Sequence, residues 1–278
     1  MFQKVSNIQF KLLRAIRLLV IMITFLIFGC ESYQYVPSPQ FAPVNTEKGS
    51  LTANYSFNYA QIGYAFADNF SVFASGFRRK NTSGFLGFYM IDKENSGDTL
   101  QWDYFKNIEF GLTFFKKVNN MFHFEIVLGS GYGTVDYGNS VDWPHDYMFT
   151  FNSKQWMYFL QPNFTLNLGS LINVPDVALD ITFIPNFRYS RYFDVARNLD
   201  LGDQREILGW DRYLNENNNL TNFFFEPGIQ FRMGIKNIKF QVQVNHTFGL
   251  QKSGIRYLPS NIFLGISLNM NLLKKKDK

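Results

Sequence analysis

A chain of 278 residues is long enough for one large domain or two small ones, so length leaves the domain count open. Aromatic residues make up 18% of the chain, with 32 Phe, yet mean hydropathy is slightly negative at −0.14. This combination favours a barrel with rings on one face and polar groups on the other. The formal net charge is +5, but the excess of positive charge lies at the two ends of the chain, so no basic stripe remains and nucleic acid is not expected as a partner.

Residues 1–29 have the pattern of a secretory signal peptide. Four cations precede an apolar stretch, 18–29, that is too short to cross a bilayer about 30 Å thick as a helix rising about 1.5 Å per residue. The stretch ends at Ile27-Phe28-Gly29-Cys30, which resembles the lipobox of bacterial lipoproteins. The resemblance implies cleavage between Gly29 and Cys30 and acylation of Cys30. The alternative is a small buried thiol.

Residues 30–49 are predicted to form a tether. Pro37, Pro39 and Pro43 stand among polar neighbours, which favours an extended segment with few hydrogen bonds over any packed element. A lipid anchor requires such a connection to its folded domain.

Residues 50–273 alternate between apolar and polar with a period of two, which indicates β-strands. From Ile238 to Leu250 the even positions are largely apolar, whereas the odd positions, beginning at Lys239, are polar. The same pattern predicts ten strands, at 50–58, 61–67, 70–78, 105–116, 121–136, 154–168, 176–192, 220–235, 238–251 and 257–273.

Two irregularities interrupt the alternation. Its phase changes at Tyr59-Ala60, which predicts two short strands joined by a two-residue hairpin loop, with a bulge in one long strand as the alternative. Pro162, Pro185 and Pro227 each remove a ladder donor, so each predicts a bulge, a strand end or a local break.

Side-chain size indicates which face lies inside. The polar face is rich in Gly, Ser, Thr, Asn and Gln, which suit a narrow interior, and the apolar face carries most of the Phe, which suits lipid. The predicted connections also alternate between short ones and long ones, at 79–104, 137–153 and 193–219, as in outer-membrane barrels. We therefore predict a closed antiparallel up-and-down transmembrane β-barrel of about ten strands, with eight to twelve possible. A soluble tethered barrel holding an apolar ligand is the alternative.

Taken together, the run at 27–30 and the alternating strands make the chain resemble uncharacterised bacterial outer-membrane β-barrel lipoproteins. The resemblance covers nearly the whole chain but contains one discrete motif, around Cys30. It implies a lipid-anchored protein of the bacterial outer membrane, with outer-membrane lipid as its partner and no particular activity. An even strand count returns the C-terminus to the periplasmic side, where a conventionally sorted lipidated N-terminus is also expected. A basic tail, 274–278, follows the barrel.

Ten strands make a narrow barrel, which is expected to be filled by side chains. The charged inward positions are predicted to form a polar plug, with an ion or substrate path as the alternative. These positions are Glu109, His123, Glu125, Asp180, Arg188, Glu226, Arg232 and Lys239.

The sequence assigns no catalytic residue, metal ligand or cofactor. His123 and Glu125 share a face and have the spacing of a base and its orienting carboxylate, but no serine is placed beside them, so structural packing is favoured. His246 lies on the apolar face. His145, in a predicted loop with acidic neighbours, is the alternative metal ligand.

The loop 193–219, if external, is the best candidate recognition surface for a ligand or protein partner. A solvated loop held by local ion pairs is nevertheless favoured over specific binding. The protein is therefore expected to have a structural, adhesive or binding role through its loops, with a lipid- or peptide-modifying enzyme as the rival. The candidate recognition residues are Arg197, Arg205, Trp210, Arg212 and Tyr213.

Overall fold

A computed structural model of the protein describes residues 35–44, 47–80, 101–141, 147–169, 177–201, 220–235, 237–251 and 257–273. Residues 32–278 belong to one compact unit. The strands of the described ranges are β1 Ser50–Tyr55, β2 Tyr59–Ala65, β3 Phe70–Lys80, β4 Gln101–Lys117, β5 Phe122–Val141, β6 Tyr147–Asn167, β7 Val177–Leu201, β8 Leu220–Ile235, β9 Ile238–His246, β10 Phe248–Gly249 and β11 Ser260–Asn271.

The strands form one closed antiparallel sheet. Each of β1 to β8 pairs with the next, β8 pairs with β9, β9 with β11, and β11 with β1. The short β10 follows β9 after Thr247 and also pairs with β8, with Phe248 opposite Phe225. The predicted ten-strand up-and-down barrel is therefore confirmed, with one extra short strand.

The first hairpin contains two strands, as predicted, and the alternative prediction of a single bulged strand is wrong. The turn occupies residues 56–58 and not Tyr59-Ala60, so it is longer and earlier than predicted. Tyr59 consequently belongs to β2, where its ring is buried inside the barrel. The register places Asn54 opposite Gln61, and the Asn54 amide donates to the Gln61 side chain at 3.1 Å.

The strands β4 to β7 are longer than predicted. β5 and β6 pair as far as Val141 and Tyr147, so the predicted long loop 137–153 is wrong and the connection comprises only 142–146. The polar residues of this stretch resemble a loop, but ladder pairing with their neighbours makes them strand. We call the end of the barrel with connections 56–58, 81–100, 142–146, 202–219 and 250–259 the loop end, and the end with 66–69, 118–121, 168–176 and 236–237 the turn end.

The three strand prolines lie in one row across neighbouring strands. Pro185 stands opposite Pro227. The pairing of β6 with β7 skips the region between Leu160 and Phe164, which contains Pro162. Because proline lacks the N–H that a ladder bond requires, this interruption is the local break that the sequence predicts.

Successive side chains alternate between the interior and the outer surface, as a pleated strand requires. Phe110 is 53% exposed whereas its neighbour Glu109 is 3% exposed. The outer surface thus carries large apolar side chains and the interior carries mainly polar ones. Outward examples from the wall are Ile62, Val72, Leu112, Leu128, Leu160, Phe183, Phe240 and Ile266.

Some rings point inward and form two buried clusters. One lies near the loop end and includes Tyr59, Phe77 and Phe224. The other comprises Phe41, Phe73, Val127 and Phe159. Within the described ranges, no helix has the length and apolarity of a membrane-spanning helix.

Candidate functional site in the barrel interior

Residues 35–44, which we call the lumen segment, run through the inside of the barrel. Tyr35, Ser38, Phe41 and Ala42 are each at most 2% exposed. Tyr35 lies near the loop end, where its carbonyl accepts a hydrogen bond from the Leu258 N–H at 2.9 Å. The hypothesis of an unpacked tether with few hydrogen bonds is therefore wrong for these residues.

Polar side chains of the wall hold the backbone of the lumen segment. Its carbonyl oxygens accept hydrogen bonds from amide, hydroxyl and guanidinium groups on six different strands. Prolines suit this arrangement, because they offer a carbonyl acceptor without an N–H that would need a partner. The donors are Thr52 to Pro43 at 3.3 Å, Gln61 to Pro39 at 2.8 Å, Gln161 and Asn163 to Phe41 at 2.5 and 3.2 Å, Arg232 to Ala42 at 2.8 Å, Asn245 to Ser38 at 3.3 Å, and Asn261 to Pro37 at 3.4 Å.

Glycines on the inner wall make room for the segment. A Cβ atom added to Gly63 would lie 2.6 Å from Cζ of the Phe41 ring. A Cβ atom on Gly228 would overlap the side-chain amide of Gln40. The small inward residues of the wall therefore fit the shape of the segment, not an empty channel.

A buried ion cluster, formed by Glu109, Arg188 and Glu226, lies at the centre of the interior. Arg188 Nη1 is 2.7 Å from a Glu109 oxygen across the barrel, and its Nε is 3.3 Å from a Glu226 oxygen on the next strand. The lumen segment completes the cluster. Ser38 donates to Glu109 at 2.6 Å, and the Tyr35 hydroxyl donates to Glu226. Such additional hydrogen bonds to the carboxylates make buried charges tolerable.

A second ion group lies nearer the turn end. Lys239 Nζ is 2.7 Å from a carboxylate oxygen of Asp180, and Arg232 Nε is 3.8 Å from the same oxygen. Asp180 and Arg232 are buried, while Lys239 is partly buried. Arg232 also binds the lumen segment through Ala42, so this group connects the wall to the segment as the central cluster does.

The structure brings His123 and Glu125 together inside the barrel. His123 Nε2 lies 3.1 Å from Glu125 Oε1, and Asn163 donates to the other Glu125 oxygen at 3.0 Å. The residue opposite His123 is Thr165, but its hydroxyl lies 2.9 Å from that of Thr182. A base and its carboxylate are thus present, while the nearest hydroxyl across the ladder has another partner.

Sequence reasoning missed a second histidine contact, on the outer surface. His246 Nδ1 is 2.7 Å from Ser260 Oγ, and its ring lies 4.4 Å from the Phe248 ring. His246 and Ser260 are directly opposite one another on β9 and β11. The alternating pattern gives the face of each residue but not the register of the two strands, which is why this pair was not found.

The predicted recognition loop is shorter than expected, because β7 continues to Leu201. Arg197 therefore belongs to a strand, opposite Phe151 on β6. Several other predicted residues lie outside the described ranges, namely Gly29, Cys30, His145, Arg205, Trp210, Arg212 and Tyr213. The predicted signal peptide, residues 1–29, and the basic tail, 274–278, lie outside them too.

Among the residues that the structure describes, no group of three acidic, histidine or cysteine side chains is arranged to hold a metal ion. Comparisons of the chain with protein-family models, curated proteins and solved structures found no match. The functional conclusion therefore depends on the sequence and on the geometry of the barrel.

Proposed function

We propose that the protein is a lipid-anchored β-barrel of the bacterial outer membrane whose interior is closed by its own lumen segment and whose loop end serves binding or adhesion. The observation that carries this proposal is the outer surface of the wall, where large apolar side chains form a continuous exposed belt. A contiguous apolar surface of this extent is typical of contact with lipid or a partner, and not of a free soluble protein.

The height of the belt supports a membrane. On β6 the outward apolar side chains run from Trp156 to Leu166. Ten residue steps of about 3.3 Å, tilted by about 40°, give a height of about 25 Å, which is that of the apolar band of outer-membrane barrels.

Aromatic side chains border the belt at both ends. Toward the loop end, Tyr132 contacts Trp156 and Tyr189 contacts Phe223, with ring centroids 5.3 and 4.9 Å apart. Toward the turn end, Phe70 contacts Phe114 and Phe124 contacts Phe164, at 5.5 and 5.2 Å. Two such girdles are characteristic of transmembrane barrels, where aromatic rings lie at the membrane interfaces.

The wall extends beyond the belt at the loop end. β5, β6 and β7 have 20, 21 and 25 residues, whereas crossing the membrane takes about 10. The described outward residues of this extension include Asp136 and Asn152, which are exposed, and a salt bridge of 2.7 Å between Lys154 and Asp194. A polar sheet standing above the membrane presents a rigid surface to partners, which supports a binding or adhesive role.

Two arginine substitutions on one strand test the membrane assignment. Leu160 lies near the middle of the belt on β6, and Asn152 lies on the same outward face above it. In lipid vesicles, Leu160→Arg should lower the free energy of unfolding by about 2–4 kcal/mol, and Asn152→Arg by at most about 1 kcal/mol. Similar small losses for both variants would reject the proposal, since an arginine replacing a leucine exposed to water costs little.

Two further measurements test the location and the anchor. The protein should be found in the outer-membrane fraction and should require detergent for extraction; release of folded protein by high salt would instead favour the soluble barrel.

Metabolic palmitate labelling should be present in the wild type and lost in Cys30→Ala. Equal labelling of both proteins would reject lipidation at Cys30.

The contact of His246 with Ser260 supports a second candidate function, an acyl hydrolase acting on membrane lipids. A histidine within hydrogen-bond distance of a serine can accept the hydroxyl proton while the oxygen attacks an ester carbonyl, and can return the proton to the departing alcohol; water then releases the acyl group. The pair faces outward, where lipid esters would be available. Purified Ser260→Ala and wild-type protein should then differ in the release of fatty acid from phospholipid, and identical release would reject this candidate.

A further inference from the structure

The lumen segment has a direction, and that direction determines the end of the barrel at which the N-terminal part of the chain emerges. Pro43 accepts a hydrogen bond from Thr52 near the turn end, and Gly49 then leads directly into β1. At the other end, Tyr35 forms a parallel bridge with Tyr257 and stacks on Phe224 at 4.3 Å. When the chain is followed toward the N-terminus, it therefore leaves the interior at the loop end.

We propose that the lipid attached to Cys30 is inserted into the outer leaflet, on the cell-surface side of the membrane. This inference rests on the proposed function, since it takes the belt to lie in the outer membrane and the anchor to be at Cys30. In barrels of that membrane, long connections are extracellular and short ones periplasmic. The loop end, with the connections 81–100 and 202–219, is then outside the cell.

Chain length restricts the anchor to that side. Five residue steps separate Cys30 from Tyr35, and a fully extended chain of five residues spans at most about 17 Å. The apolar belt on β6 is about 25 Å tall. Because the Phe224 ring that Tyr35 stacks on lies beside the aromatic girdle of the loop end, the acyl chains reach the nearer leaflet and not the opposite one.

The filled interior also prevents the lipid anchor from passing through the barrel to the other side. Below Tyr35 the lumen is occupied by Ser38, Phe41 and the buried ion cluster. The acyl chains of a lipid anchor could not pass these groups without breaking the buried ion pairs. The chain therefore has to be threaded before or while the barrel closes. The outcome is a surface-exposed N-terminus, opposite to the periplasmic one that the sequence predicts.

An epitope that contains a specific protease site, inserted between Glu31 and Ser32, tests this topology. Cells labelled with radioactive palmitate are treated, while intact, with the protease. We expect the antibody to stain intact cells and the protease to separate the palmitate label from the barrel. If staining and cleavage occur only after the outer membrane is permeabilised, the inference is overturned.

Two control insertions of the same epitope distinguish failure of this inference from failure of the proposed function. An epitope in the connection 81–100 should be accessible on intact cells, and one in the turn 118–121 only after permeabilisation. If these controls behave so but the N-terminal epitope stays hidden, the barrel assignment stands and the surface anchor is wrong. If the 81–100 epitope is itself hidden, or if no palmitate is incorporated, the proposed function is wrong, and the surface anchor is rejected with it.

Discussion

Replacing Phe41 with alanine measures how strongly the lumen segment is bound inside the barrel. Phe41 is 2% exposed and stacks on Phe73 with ring centroids 4.8 Å apart. Truncating a packed phenylalanine costs about 3–5 kcal/mol, the sum of lost transfer free energy and the cavity left behind. We expect about 3 kcal/mol here, the lower end of that range, because a terminal segment relaxes more easily than a central strand.

The matched control is Phe57→Ala, since Phe57 lies in the first hairpin turn and is 99% exposed. This variant should lose less than about 1 kcal/mol, because the ring has little packing to lose. Urea unfolding in lipid vesicles, followed by tryptophan fluorescence, gives both free energies. A difference of about 2 kcal/mol or more corresponds to at least about 25-fold in the unfolding equilibrium. Equal losses in the two variants would show that residues 35–44 are not docked in the lumen.

Three further predictions follow from the interior. Arg188→Met leaves Glu109 and Glu226 buried without their cation, so it should lower the free energy of unfolding by about 3–5 kcal/mol in the same assay. The control Lys154→Met breaks an exposed pair and should lower it by at most about 1 kcal/mol. Gly63→Ala, whose methyl group would meet Phe41, should make the lumen segment more sensitive to protease, and Gly76→Ala, whose Cβ would meet no atom within 4 Å, should not; equal cleavage of both would contradict the fit. Replacing residues 35–44 by a Gly-Ser linker of equal length should give conductance steps in planar bilayers that the wild type lacks, and an unchanged, closed recording would mean that the wall alone blocks the lumen.

The strand pattern was largely predictable because it depends on residues that are close to one another in the sequence. A pleated strand with one apolar face and one polar face alternates strictly, so Ile238–His246 is recognised from its own residues. The end of a strand is harder to predict. Residues 138–140 are small or polar in sequence, and only their pairing with β4 and β6 makes them part of β5.

The inward residues were predictable as a set, but their partners were not. Alternation places Glu109, Arg188 and Glu226 on the polar face, yet nothing in their spacing indicates that one guanidinium bridges the two carboxylates. The lumen segment left no signal of its own, because a proline-containing stretch has no period. Its partners are remote in sequence, since Phe41 is 120 residues from Gln161 and Ser38 is 207 residues from Asn245. One usable hint was the set of inward Gln and Asn side chains, whose amide groups can donate to a backbone inside the barrel.

The lumen segment also strengthens the place where the barrel closes. β1 has only six residues, and it must pair with β11 to close the sheet. Beside this seam, Asn271 donates to Glu47 at 2.6 Å, and the Leu272 N–H donates to Gly49 at 2.9 Å. At the other end of β11, Leu258 donates to Tyr35. Both ends of β11 are therefore bound to the chain that precedes β1, at Tyr35 of the lumen segment and at residues 47–49 after it, and these contacts help to hold the first strand against the last.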